Sequence, residues 1–290
     1  MRRDFFDLVA HARSLLFNVK VKTNGVMIRA DEARRLRSLG VEQVQISVYS
    51  HRDEVHDGIT KLPGSLRRTL AAVSFLKSAG LKVTLANVLM TANLGDQQGV
   101  IALAKRLGVS YTLDPTITPK MDGDTSILSL RAPAEDLRHA FANPDLVGDV
   151  EAFSAAPPEP DDGVMEGYPC SAGHTSCYIS PYGDVFPCVQ FPLPSGNLRE
   201  QSFQDIWRNS DQLAEVRSIR ARDLPTCSGC AHVGTCTRCP GLAYMEGNMR
   251  GPSSADCEKS FLRTGIPTAN MLNRGLGAPR NLLVQIQSAS

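Results

Sequence analysis

The chain has 290 residues, and its 31 basic and 30 acidic side chains leave a formal net charge of +1. That balance excludes the basic excess expected of a nucleic-acid binder, and no apolar run approaches the roughly 18 residues needed to cross a bilayer. A chain this long fits one large domain or two ordinary ones and can bury a core without disulfide staples.

Helical spacing marks residues 4 to 16, where Phe5, Leu8, Val9, Ala12, Leu15 and Leu16 share a face. NVKVKTNG follows as a short strand stopped by Asn24 and Gly25. Asp31 opens a second helix closed by Gly40, and VEQVQISVYS alternates as a second strand. HRDEVHDGITKLPGS reads as a solvated loop. Its His51, Glu54, His56 and Asp57 could suggest a metal or acid–base site, but the default is a connection. A third helix covers 64 to 79, LKVTLANVLMT is a third strand, a fourth helix covers 94 to 107, and VSYTLDPTITP is a fourth strand. This alternation predicts an α/β fold with a parallel sheet. Chemistry on such a sheet belongs at the carboxyl ends of its strands. Those ends carry Thr23 and Asn24, Ser47, Asn87, and Asp114 with Pro115. The polar stretch from Thr116 to Arg131 reads as a connection that could face a substrate.

Residues 148 to 168 are rich in Pro, Gly and acid and read as a linker. Beyond it lie all eight cysteines, spaced Cys170-x6-Cys177-x10-Cys188, then Cys227-x2-Cys230-x5-Cys236-x2-Cys239, then Cys257. Ser180-Pro181-Tyr182-Gly183-Asp184 is turn chemistry between two apolar runs, so a hairpin would carry Cys177 and Cys188 on its arms. Between the two groups, GNLREQSFQDIWRNSDQLAEVRSIR reads as a turn and a helix with Ile206, Trp207, Leu213 and Val216 in a core-facing stripe. Spacing alone leaves three readings open: disulfides, two structural zinc sites, or two four-iron clusters with one thiolate per iron. No signal peptide is visible, which weighs against disulfides and points to a reducing, cytoplasmic setting.

The cysteine pattern resembles the SPASM domain, the C-terminal extension of many radical S-adenosylmethionine (SAM) enzymes. One departure is the last gap of the four-cysteine run, two residues in Arg238-Cys239-Pro240-Gly241 where the family often has three. The resemblance implies two [4Fe-4S] clusters with crossed ligands. Cys170, Cys177, Cys188 and Cys239 would hold the first, and Cys227, Cys230, Cys236 and Cys257 the second. The presence of Cys177 would close the first cluster and favour electron transfer over substrate ligation.

The N-terminal half resembles the later part of the radical SAM partial (β/α) barrel. It implies a barrel over 1–147, a linker over 148–168, a SPASM domain over 169–262 and a tail over 263–290. Thr23, Asn24, Ser47 and Asn87 become candidates for a SAM pocket, although Tyr49-Ser50 stands where the family often has Asp-Gly. The implied parent activity is radical-based modification of a peptide or protein, with haem-related steps another family theme. A flavodoxin or ferredoxin would donate electrons, and nucleic acid and membranes would play no part. The family's SAM-cleaving Cys-x3-Cys-x2-Cys loop does not occur, since no cysteine precedes Cys170, and the Gly-Gly-Glu-Pro stretch is absent too. The expectation is therefore a barrel truncated at its N-terminus, with Met1 an internal methionine read as a start. Alone, the chain would not cleave SAM, and no catalytic residue can be named. Two other classes compete with this: a non-catalytic iron–sulfur protein and a zinc-bound interaction module.

Overall fold

A computed structural model describes residues 2–275; Met1 and the part of the expected tail beyond 275 lie outside the described residues. The chain divides into two compact units. One runs to Ile117 and takes in Leu130–Asp136, and the other holds Thr118–Ser129 and the chain from Leu137 onward.

The first unit alternates helix and strand: α1 (Phe5–Ser14), β1 (Lys20–Thr23), α2 (Ala30–Ser38), β2 (Gln43–Ser47), α3 (Asp53–Thr60), α4 (Ser65–Ser78), β3 (Lys82–Val88), α5 (Gln97–Leu107) and β4 (Ser110–Asp114). The strands form one parallel sheet in the order β1-β2-β3-β4. Each new strand joins on the same side. Right-handed crossovers then place every intervening helix on one face, as in a segment of a barrel and unlike a doubly wound sheet. Strand burial agrees: in β2, Val44 and Ile46 are fully buried while Gln43, Gln45 and Ser47 are half-exposed.

Register carries that split across the sheet. One face presents Val21, Val44 and Val83 in a row and Thr23, Ile46, Leu85 and Tyr111 in the next. The helices cover it through Ala33, Leu36, Leu66, Val73, Leu76, Val100 and Leu103. Burying each large aliphatic side chain contributes about 1.5–3 kcal/mol, so this face supplies most of the unit's stability. The opposite face is polar, with Lys22, Gln45, Thr84 and Ser110 in one row and Ser47, Ala86 and Thr112 nearer the carboxyl ends.

α3 differs from the expectation of a solvated loop. His56 is buried on it, its Nδ1 accepting from the Tyr49 amide at 3.2 Å. Asp57 then accepts from the Leu66 amide at 2.9 Å and the Ser65 hydroxyl at 2.8 Å. The Leu66 bond, with another from the Gly64 amide, satisfies backbone donors at the start of α4, so Asp57 fastens α3 to α4.

Beyond the sheet lie four helices: α6 (Ala134–Phe141), α7 (Pro144–Val147), α8 (Val150–Ser154) and α9 (Asp162–Glu166). The stretch read as a linker therefore contains two short helices, each N-capped by an aspartate, Asp149 and Asp161. A small antiparallel sheet follows, β5 (Tyr178–Ile179), β6 (Asp184–Phe186) and β7 (Gly196–Asn197). In the β5–β6 turn, Gly183 donates to the Ser180 carbonyl at 3.0 Å with φ +95°, a conformation that needs glycine. The single expected helix is two, α10 (Phe203–Asn209) and α11 (Asp211–Ser218). Ser210 separates them and its hydroxyl caps the second. Then come α12 (Pro240–Met245), α13 (Ser254–Thr264) and α14 (Ala269–Asn273). Among the described residues, no helix is long and apolar enough to cross a membrane.

Candidate metal centre

All eight cysteines are free thiols, none joined in a disulfide. Their chain positions place them on different elements of the second unit. Cys177 and Cys188 flank the β5–β6 hairpin, Cys239 immediately precedes α12, and Cys257 sits within α13. The four-cysteine run is a series of tight turns. The Cys230 amide donates to the Cys227 carbonyl at 3.1 Å, and the Thr235 and Cys236 amides both donate to the His232 carbonyl.

Two cavities take up most of these thiols. One, of about 280 Å³, is walled by Cys227, Cys230, Cys236 and Cys257, with His232, Arg238 and Asp256 among its polar neighbours. These are the four residues of the second expected quartet. Part of its wall comes from Gly163, Val164 and Gly167, within the stretch read as a linker. The other, of about 450 Å³, is walled by Cys170, Cys188, Cys236 and Cys239, so Cys236 lines both cavities. Three members of the first expected quartet thus share one space. Cys177 packs instead against Val185, Ile206 and Leu213.

The donor set is the one a cluster needs: four thiols line the smaller cavity and four the larger. A four-iron cube carries its irons at separate corners and takes thiolates spread around a cavity. Backbone donors already face the sulfurs. Ala172 donates to Cys170 at 3.4 Å, Leu242 to Cys239 at 3.5 Å, and Ala269 to Cys230 at 3.4 Å. Such bonds orient ligands and hold negative charge on sulfur.

Burial works the other way. It pushes the Cys236 and Cys239 thiols up, and Cys257 up to about 11. Without a metal's charge these thiols stay protonated, so binding must release protons. Burial also raises the Cys227 thiol, and Arg238 is the leading opposing influence. Asp256 ties the arrangement together: it accepts from the Cys239 amide at 2.8 Å and pairs with Lys259 at 2.8 Å, binding α13 to the start of α12. Gly241 allows α12 to approach closely, because a Cβ there would lie 2.3 Å from the Gln190 carbonyl oxygen.

On the first unit's sheet the four expected SAM-pocket residues do not share a face. Ser47 lies on the polar face, in register with Ala86. Thr23 and Asn87 occupy positions on the helix-covered face. Thr23 Oγ1 accepts from the Gly25 amide at 3.1 Å and Asn24 Oδ1 from the Val26 amide at 3.2 Å, so both shape the turn. Asn87 is buried and donates to the Val48 carbonyl at 2.7 Å, while its Oδ1 has no partner. Neither Arg238 nor His232 stood out in the sequence as part of the metal centre. A basic residue between two cysteines is usually solvated, and only the tertiary structure shows these two buried.

Comparison with known proteins bears on both units. The radical SAM superfamily model matches residues 1–103, and the SPASM model, described as an iron–sulfur cluster-binding domain, matches residues 170–231. The chain is 27% identical to an AdoMet-dependent heme synthase of Methanosarcina barkeri, over 84% of this chain and 75% of that protein. It is 29% identical to the mycofactocin maturase MftC of Mycolicibacterium smegmatis, over 81% of this chain and 62% of that one. The crystal structure of Streptococcus suis SuiB bound to its precursor peptide SuiA shares the fold at a TM-score of 0.65 and 15% identity, covering 88% of this chain. The chain spans 62% of the SuiB structure's length.

Proposed function

Because the chain is a radical SAM and SPASM protein, we propose that its C-terminal unit carries two [4Fe-4S] clusters serving a radical-based modification of a peptide or protein. Cys170, Cys188 and Cys239 would hold the first cluster from the walls of one cavity, with Cys177 brought in from the foot of the β5 arm as the resemblance implies, and Cys227, Cys230, Cys236 and Cys257 would hold the second. The observation that carries this reading is the pair of thiol-walled cavities, one of them lined by all four members of the second quartet. When bound, such clusters would supply one-electron redox chemistry to that reaction. The chain's own part is to keep them dry, to space them and to donate backbone hydrogen bonds to their sulfurs. A flavodoxin or ferredoxin supplies reducing equivalents, and the setting is cytoplasmic. The polar sheet face, with Ser47 near its carboxyl end, is where SAM would lie. The SAM-cleaving cluster needs three further thiols, and no cysteine precedes Cys170, so SAM cleavage by this chain alone is not part of the proposal.

A peptide or protein substrate is favoured by the likeness to MftC, a maturase, and to SuiB, whose structure holds a precursor peptide. The likeness to heme synthases favours a second reading, a porphyrin substrate. Adding haem to the reconstituted protein separates the two: no shift of the Soret band is expected, and a saturable shift would favour the porphyrin.

Anaerobic reconstitution tests the clusters. About eight irons per chain and broad absorbance near about 400 nm are expected. Four irons or fewer would remove the two-cluster reading, and colourless protein with stoichiometric zinc would replace it with an interaction module.

A further inference from the structure

Arg238 stands on the walls of both thiol-lined cavities. It is only 6% exposed, and a guanidinium stays charged even when buried. Its Nε donates to the Gly251 carbonyl at 2.9 Å, and its Nη2 donates to the carbonyls of Met249 and Gly251. These bonds fix the plane of the fork from one side. The remaining nitrogen, Nη1, is buried and has no partner. Buried donors are almost always bonded, and Arg238 also acts on the Cys227 thiol through its charge and a side-chain hydrogen bond, so the guanidinium faces a sulfur of the second quartet while Nη1 keeps a donor to spare. No carboxylate among the described residues forms an ion pair with Arg238. Asp256, a charged neighbour on the wall of the smaller cavity, is already engaged by Lys259 and the Cys239 amide.

We propose that Arg238 is a fixed cation shared by the two iron–sulfur sites, donating through Nη1 to cluster sulfur and making both clusters easier to reduce. The inference rests on the cluster reading above. A four-iron cluster held by four thiolates is anionic and becomes more so when it accepts an electron. A permanent positive charge beside it, away from solvent, favours the reduced form, and hydrogen bonds to cluster sulfur act in the same direction. Since one guanidinium borders both cavities, it also screens the repulsion between two anionic clusters. Arg238 touches no substrate and gives up no proton; it is a positioning and tuning residue.

The test is an EPR-monitored redox titration of the reconstituted full chain, with dithionite as reductant, in the unaltered protein, Arg238→Gln and Arg238→Lys. Arg238→Gln is expected to keep about eight irons. Its reduction equilibrium should become at least tenfold less favourable, about 59 mV for a one-electron couple. Arg238→Lys keeps the charge and should recover most of that shift. An iron-replete Arg238→Gln protein with unchanged potentials would overturn the proposal, as would a Lys variant shifted as far as the Gln variant.

Should Arg238→Gln fail to load iron, the unaltered protein still decides. With 15N-labelled arginine, pulsed EPR of the reduced clusters should detect coupling to a guanidinium nitrogen, and its absence would sink the idea. Failure of the unaltered protein to load iron would count against the cluster reading instead.

Discussion

In the N-terminal unit one apolar cluster runs from Val9 through Val44, Ile46 and Leu85 to Ala104, sealing a whole face of the sheet. The C-terminal unit has smaller groups. Ala172, Phe191, Val216, Ile219, Leu224 and Met249 form one, and Val185, Ile206 and Leu213 another, with Cys170, Cys188, Cys227 and Cys177 packed at their edges. Its strands are two or three residues long. A sheet that short has little stability of its own. The first unit carries its core in its side chains. The second arranges its side chains around thiol-lined spaces, so on the cluster proposal its stability would follow cofactor occupancy.

That contrast can be broken most directly by removing iron. Chelation of the reconstituted protein is expected to open the C-terminal unit to proteases while the first unit stays resistant, read by mass spectrometry of the fragments. Equal loss of protection in both units would refute the contrast. Gly241→Val comes next. With a Cβ 2.3 Å from the Gln190 oxygen, α12 cannot approach, and Cys239 is carried away from Cys170 and Cys188. About half of roughly eight irons should be lost. Leu85→Ala sharpens the other side. It removes a fully buried side chain from the sheet and should cost about 2–5 kcal/mol in denaturant unfolding of the first unit, with iron content unchanged.

The smallest effect concerns Asp57. Its carboxyl is held down to about 2 from an ordinary 3.8, chiefly by the Leu66 amide and also by Ser65 and Gly64. A lowered value stabilises the fold above pH 3.8, and the contribution fades as pH falls through about 2. Asp57→Asn should flatten the acid limb of the melting temperature between those values and leave the neutral-pH spectrum of the clusters untouched.

How much of this could be read in advance follows the same divide. The four strands and the helices between them announced themselves because alternation and helical spacing are local. α3 escaped because DEVHDGIT is mostly polar and carries Gly58, and nothing local shows His56 receiving the Tyr49 amide. One helix became two because Ser210 caps the second, a role its neighbours do not advertise. Thr23 and Asn87 looked like pocket residues as strand-end polars; register puts them on the covered face while Ser47 is on the open one. Cysteine spacing marked a metal site, but the division of the thiols into two quartets came only from resemblance, because partners so far apart in the chain leave no local trace. Arg238 was illegible for that reason too: its carbonyl partners lie at Met249 and Gly251.

The crossing of the two cysteine groups has a consequence for biosynthesis. Cys170 and Cys188 share their space with Cys239, and the other cavity is closed by Cys257. The growing polypeptide therefore cannot finish either pocket while only the hairpin has left the ribosome. On the cluster proposal the first pocket would be complete only after Cys239 has emerged and the second only after Cys257, so cluster loading would come late, after the N-terminal sheet has been synthesised.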